Sequence, residues 1–322
     1  MKASIRILTL FSTVLNLCLL TPARGQTANL ITCSTERNAD NSISLFADSR
    51  VFGEYTLRLN FPVLTGYKAS GISVYNNQAM TIVTRGKKEI ARLTPDKSAA
   101  NYSYSYSYAY FPGAALRRLP DTNFLYILPG SAGNTLRVSQ VVNLYAQLGQ
   151  NTSPDFFSTG FTYQLGDTIC ASRGGVVYDC VDAVQEGEKN TEVFKGDRNR
   201  IQVQHKDGTL GHYVMRAPIQ LLVTPGDEVI AGQPLAVFTK KSEHYTVMLS
   251  VNYLDEKKLM SADKDLGIVK VYVSYLHPVF CTNSDGAPGP ALVTNTNFTV
   301  THPRQVISAE MSKKEKKKYG YQ

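Results

Sequence analysis

Histidine is scarce in this chain: His205, His212, His244, His277 and His302 are the only five among 322 residues. They form no H-E-x-x-H, H-x-H or H-x-x-x-D pair, so local spacing offers no start for a zinc site, and each reads as a surface or strand histidine. Other chemistry is missing too. There is no G-x-S-x-G elbow for a serine nucleophile, no phosphate-binding glycine loop, and the acidic residues are scattered. Helical periodicity is rare. Past the N-terminal run, no stretch is apolar enough to span a bilayer as a helix, so no transmembrane segment is expected in the mature chain. Net charge also shrinks on inspection. The formal value is +8, but Lys2, Arg6 and Arg24 sit at the N-terminus and "KKEKKK", Lys313 to Lys318, carries much of the rest. The nearly neutral body argues against nucleic acid as a partner.

What is present begins with a leader. Lys2 and Arg6 precede an apolar run from Ile7 to Leu20, followed by "TPARG" with small residues at Ala23 and Gly25, the layout of a cleaved secretory signal. Residues 1–25 are therefore expected to be a signal peptide and the mature chain to be secreted. Leu17 stands where a lipoprotein signal needs a small residue, so Cys18 reads as part of the apolar run. Four cysteines remain, Cys33, Cys170, Cys180 and Cys281, an even number in an oxidising compartment. Two disulfides could pair in three ways. Gly174-Gly175 between Cys170 and Cys180 favours a local bridge, which leaves Cys33 for Cys281; free buried thiols are the alternative.

Short alternating runs between turn signals predict an all-β chain. "YTLRLNFPVL", "AMTIVTRG", "KEIARLTP" and "NFLYILPG" read as strands of an N-terminal β-sheet domain over 26–148. "NYSYSYSYAYF" puts Tyr102, Tyr104, Tyr106, Tyr108 and Tyr110 on one face of a strand; packing against a core is the ordinary use of such a stripe, and stacking on sugars the alternative. Breaker-rich "GQNTSPDFFSTG" marks a boundary. From there "GDTICASRGGVVYDC", "NRIQVQHKDGTLGHYVM" and "LLVTPGDEVIAGQPLAVF" read as hairpins, with Asp207-Gly208 in a type I′ turn, and complete an antiparallel β-sandwich over 159–300. Residues 301–322 form a basic tail, read as a solvated helix end that could touch an anionic surface.

These segments resemble the lysostaphin-type, LytM-like zinc metallopeptidases that cut peptidoglycan cross-bridges. "GDTICASRGGVV" is similar to the family's G-T-x-V-x-A-x-x-x-G-V-V strands, "VQHKDGTLGHYVM" to its D-H-x-D-G-x-x-x-x-Y-x-H hairpin, and "VTPGDEVIAGQPLAVF" to its V-x-x-G-D-x-V-x-x-G-Q-x-I segment. Biotinyl and lipoyl carrier domains share the last hairpin, but no modifiable lysine turn accompanies it here. The resemblance implies a lysostaphin-like sandwich, a bacterial periplasm or cell envelope as location, and peptidoglycan or a cell-wall hydrolase as partner.

The family's chemistry needs a zinc on an H-x-x-x-D pair and the second His of H-x-H, with two further histidines beside it. At the matching positions stand Met215 for the His of Y-x-H, Thr246 and Met248 for H-x-H, and Gly160 near the Asp. A shift of two would recover only His244. The resemblance thus implies a degenerate member, a pseudoenzyme without a cofactor, its old groove lined by Tyr213, Met215, His244, Thr246 and Met248 and suited to a peptide or glycan strand. Zinc and cross-bridge hydrolysis belong to the alternative, an active endopeptidase with its ligands elsewhere. A zinc cluster of Cys170, Cys180, His205 and His212 is a further, weaker option.

Overall fold

The computed structural model describes residues 30–116, 120–142, 155–184, 198–242, 245–261 and 272–321. The expected leader at 1–25 lies outside them, as does His244. The chain is all-β, about half strand, built almost wholly from antiparallel pairs.

The N-terminal part closes two sheets on one core. Ile31–Arg37, Ile43–Ser49, Gly86–Pro95 and Tyr67–Ser70 form one; Gln78–Val83, Tyr55–Thr65 and Ser103–Pro112 form the other. Period-two alternation sets which side chains meet. In Tyr55–Thr65, Leu57, Leu59 and Phe61 are fully enclosed while Arg58 and Asn60 are half-buried. Leu45 and Leu93 meet them from the facing sheet, each such side chain contributing about 1.5–3 kcal/mol by its burial. The chain crosses between the sheets at Gly66, whose φ of 72° and contact with the Asn101 carbonyl leave no room for a side chain. Tyr104, Tyr106, Tyr108 and Tyr110 pack at the margin of this core.

The second part is a sandwich. Its large sheet runs Glu228–Val229, Gly175–Val181, Asn199–Gln204, Leu210–Met215, Thr246–Asp255, Ser158–Thr162, Thr135–Val142, Asn297–Thr299. Thr168–Cys170, Pro234–Phe238 and Ile219–Leu221 form a small sheet, and Phe161, Ile201, Tyr213, Met215, Leu235, Phe238, Val247 and Leu249 share the core. Strands that the sequence pattern grouped with the N-terminal sheet belong here instead. Thr135–Val142 pairs with Ser158–Thr162 and Asn297–Thr299, and Leu125–Ile127 pairs with Val279–Cys281. Alternation identifies a strand but carries no label for its partner.

Three local expectations change. The Asp207-Gly208 turn is not type I′, since Asp207 does not have the positive φ that turn requires. The hairpin's last pair is Gln204 with Leu210, and Asp207 Oδ1 accepts bonds from Thr209 N and Oγ1. The disulfides are absent as well: Cys33, Cys170, Cys180 and Cys281 are all free. Cys170 ends a strand of the small sheet whereas Cys180 lies well along Gly175–Val181 of the large one, and these strands do not pair. Gly175 begins a strand and passes tightly against the Gln204 carbonyl, so the glycines serve close approach more than reversal. Cys33 and Cys281 sit in separate cores. Finally, the basic tail is docked. Helix Arg304–Ile307 buries Val306 and Ile307, and helix Lys313–Lys318, with a capping box between Ser312 and Glu315, is tied down by Lys206 at 2.8 Å from Glu315.

Candidate functional site

Two places compete. The first is the outer face of the large sheet, where the family-like positions fall. Thr246–Asp255 alternates strictly at its start: Val247, Leu249 and Val251 point into the core while Thr246, Met248 and Ser250 are half-buried on the other side. Register therefore divides the anticipated groove. Met215 pairs with Val247 and Tyr213 with Leu249, so both face the core and are 1% exposed. Met248 and Thr246 face away from them. Tyr213 has a structural task instead, its hydroxyl accepting the Ser172 N–H at 2.7 Å.

Two of the anticipated positions do come together. Gly160 is the direct cross-strand partner of Met248, and Thr162 of Thr246. Gln140 Nε2 donates to Met248 Sδ at 3.0 Å, so the methionine sulfur is held over the glycine. A Cβ at residue 160 would lie 2.9 Å from that sulfur and 2.5 Å from Ser139 Oγ. No aspartate fits there without displacing both. Along the same row Arg200 and Asp179 bond each other at 2.8 Å. The imidazole on this face is His212, the partner of Ser250, with Gln202 Nε2 2.6 Å from Nδ1 and Asn252 Nδ2 3.0 Å from Nε2. Burial pushes its pKa down to about 4.

The remaining histidines are dispersed. His277 stacks on Phe157 at 4.0 Å, and His302 Nε2 lies 3.0 Å from the Gly130 carbonyl. Among the described residues no three of His, Cys, Asp and Glu are grouped as a metal would require, and Cys170, Cys180, His205 and His212 do not converge.

The second place was not singled out by the sequence. Arg173, inside the "ASRGG" stretch, has a side chain only 2% exposed. Its guanidinium lies 3.7 Å from the Phe124 ring centre. Around it are Tyr126 OH at 3.0 Å, Asp207 Oδ2 at 3.0 Å, and Glu310 at 2.5 and 2.8 Å in a two-pronged pair. Burial by itself would lower the arginine pKa, but the bond to Glu310 and the charges around it outweigh that and raise it. A cavity of about 370 Å³ opens beside this cluster, walled by Phe124, Ile230, Ile307 and Met311 with Lys206 and Glu310 on its lining. His205 also lines it, 3% exposed, and neither ring nitrogen has a partner among the described residues. The only sequence signal was a lone arginine beside two glycines. Its partner Glu310 is 137 residues away.

No protein-family model and no curated protein sequence matches the chain. Among solved structures, it is similar in part to a Ruminococcus gnavus protein described as a glycyl-glycine endopeptidase LytM, with a TM-score of 0.28 and 13% identity. The match covers 41% of this chain and 54% of that one, so it spans about half of the neighbour's length. A likeness of that size carries no inference about chemistry. Among the described residues, no helix is long and apolar enough to cross a membrane.

Proposed function

We propose that the chain is a secreted cell-envelope protein that works by binding, its peptidase-like half lacking metal chemistry, with peptidoglycan as the ligand of its outer sheet face. The observation that carries this reading is the packing of Met248 over Gly160. A zinc site needs about three fixed donors, and this spot offers a thioether already bonded to Gln140, a bare glycine, and the hydroxyls of Thr162 and Thr246. Thioether and hydroxyl oxygen are poor zinc ligands beside imidazole. Half-buried Thr246, Met248 and Val214 make a neutral, mildly apolar surface that can lie against a glycan or peptide strand.

The test is sedimentation of the purified full chain with insoluble peptidoglycan, alongside zinc determination and assay of muropeptide release. Co-sedimentation without release is expected, lost in Met248→Arg. Capture of a cell-wall hydrolase without affinity for the wall itself would move the ligand from polymer to protein. One tightly held zinc per chain with chelator-sensitive release would establish the endopeptidase in place of the binding module.

A further inference from the structure

We propose that the cavity at Arg173 is a receptor for acidic peptides, and that Glu310 and Glu315 of the C-terminal segment are its built-in occupants. The inference does not rest on the outer sheet face.

The receptor is organised without Glu310. Arg173 is held on Phe124 at 3.7 Å and bonded by Tyr126 OH, and Asp207 at 3.0 Å neutralises its charge. Glu310 is then a second carboxylate on one cation. Its departure leaves a neutral, still oriented Arg173 and Asp207 pair with one guanidinium edge open to the cavity. A carboxylate from outside restores the same two-pronged geometry and the same charge, so exchange avoids the penalty of a bare buried ion.

The occupant's segment lies outside the sheets, with Met311 and Tyr321 packed at the edge of the Val306 and Ile307 cluster. Glu310, with a side chain 24% exposed, lies between two short helices rather than in a sheet. Beyond it the segment is held by Lys206, which donates to the Glu310 carbonyl at 2.9 Å and to Glu315 at 2.8 Å, and helix Lys313–Lys318 buries no residue. Lifting 308–318 frees Lys206 at the rim together with Arg173 inside, two cations that now read carboxylates five residues apart. His205 adds unused capacity: a buried imidazole in the wall of a cavity, with no partner for either nitrogen among the described residues, is a group whose hydrogen bonds are left for something else to make.

The probe is the peptide acetyl-Ala-Glu-Ala-Ala-Ala-Ala-Glu-Ala-amide, which keeps the spacing of Glu310 and Glu315, and its counterpart with Gln at both sites. Binding is measured by calorimetry on the full chain and on Glu310→Ala/Glu315→Ala. The acidic peptide is expected to bind the variant at least tenfold more tightly than the native chain, with affinity falling as salt rises, and the Gln peptide to bind neither. Equal affinity for both chains, absence of binding to the variant, or equal binding of the Gln peptide would overturn the proposal. If the double variant does not fold, Glu310→Gln preserves the shape of the segment and carries the same comparison.

Discussion

The two candidate places lie on one sandwich and differ in almost every physical respect. Around Met248 and Gly160 the closest contact is an amide on a sulfur, and charge enters that row only further along, as the exposed-side pair of Arg200 with Asp179. Around Arg173 three polar or charged groups, from Tyr126, Asp207 and Glu310, converge on a guanidinium that water barely reaches. Motif resemblance pointed to the first place, yet stored electrostatic organisation lies at the second. Turn glycines and alternating apolar residues are demanded by folding, so they mark where turns and strands lie rather than where a site is. A buried charged cluster must instead be compensated at each partner.

The largest expected effect tests that contrast directly. Arg173→Met leaves Asp207, Glu310 and the Tyr126 hydroxyl without their common partner, and should cost about 3–5 kcal/mol in urea unfolding. Met248→Leu, which removes only the sulfur acceptor from Gln140, should stay under about 1.5 kcal/mol. Comparable losses at both sites would erase the distinction.

Gly160→Asp sharpens the other side. With a Cβ 2.5 Å from Ser139 Oγ and 2.9 Å from Met248 Sδ, it should destabilise by about 1–3 kcal/mol through overpacking. Even combined with Thr246→His and Met248→His it is expected to yield no stoichiometric zinc by elemental analysis, since Ser139 Oγ and Gln140 still crowd residue 160 once the sulfur is gone.

Acid titration separates the regions more gently. Burial lowers the pKa of His205 and of His212 from the ordinary 6.5, the latter to about 4. Both imidazoles stay neutral when folded and take up protons more readily when unfolded. Their contribution to stability is therefore fully present above about pH 6.5 and lost as pH falls toward 4. The midpoint of urea unfolding should fall over that window, and His212→Asn should flatten part of the slope. An unchanged slope in the variant would place the titration elsewhere.

The smallest effect is expected at the cysteines. Four thiols should titrate in the denatured, unreduced protein prepared without residues 1–25, and Cys33→Ser or Cys281→Ala should not release the loop-closure stabilisation that a lost disulfide would. Non-reducing peptide maps showing a bridge between Cys170 and Cys180 would restore the original expectation.

Much of this protein was legible along the chain. Runs such as "YTLRLNFPVL" and "YTVMLSVNYL" alternate with period two, and that pattern between turn signals predicted the all-β fold, in which Leu57, Leu59, Val247 and Leu249 fill the interior. That Met215, Thr246 and Met248 carry no imidazole is read directly from the chain, because residue type decides what a side chain can ligate. Tertiary structure alone decided the rest. Cross-strand register turned Met215 and Tyr213 inward and Met248 outward, and strand pairing carried Thr135–Val142 into the second sandwich and parted Cys170 from Cys180. It also brought Glu310 to Arg173 across 137 residues. Spacing within a segment reports the faces of that segment, whereas a contact between distant segments depends on how whole sheets stack, and no local pattern records it.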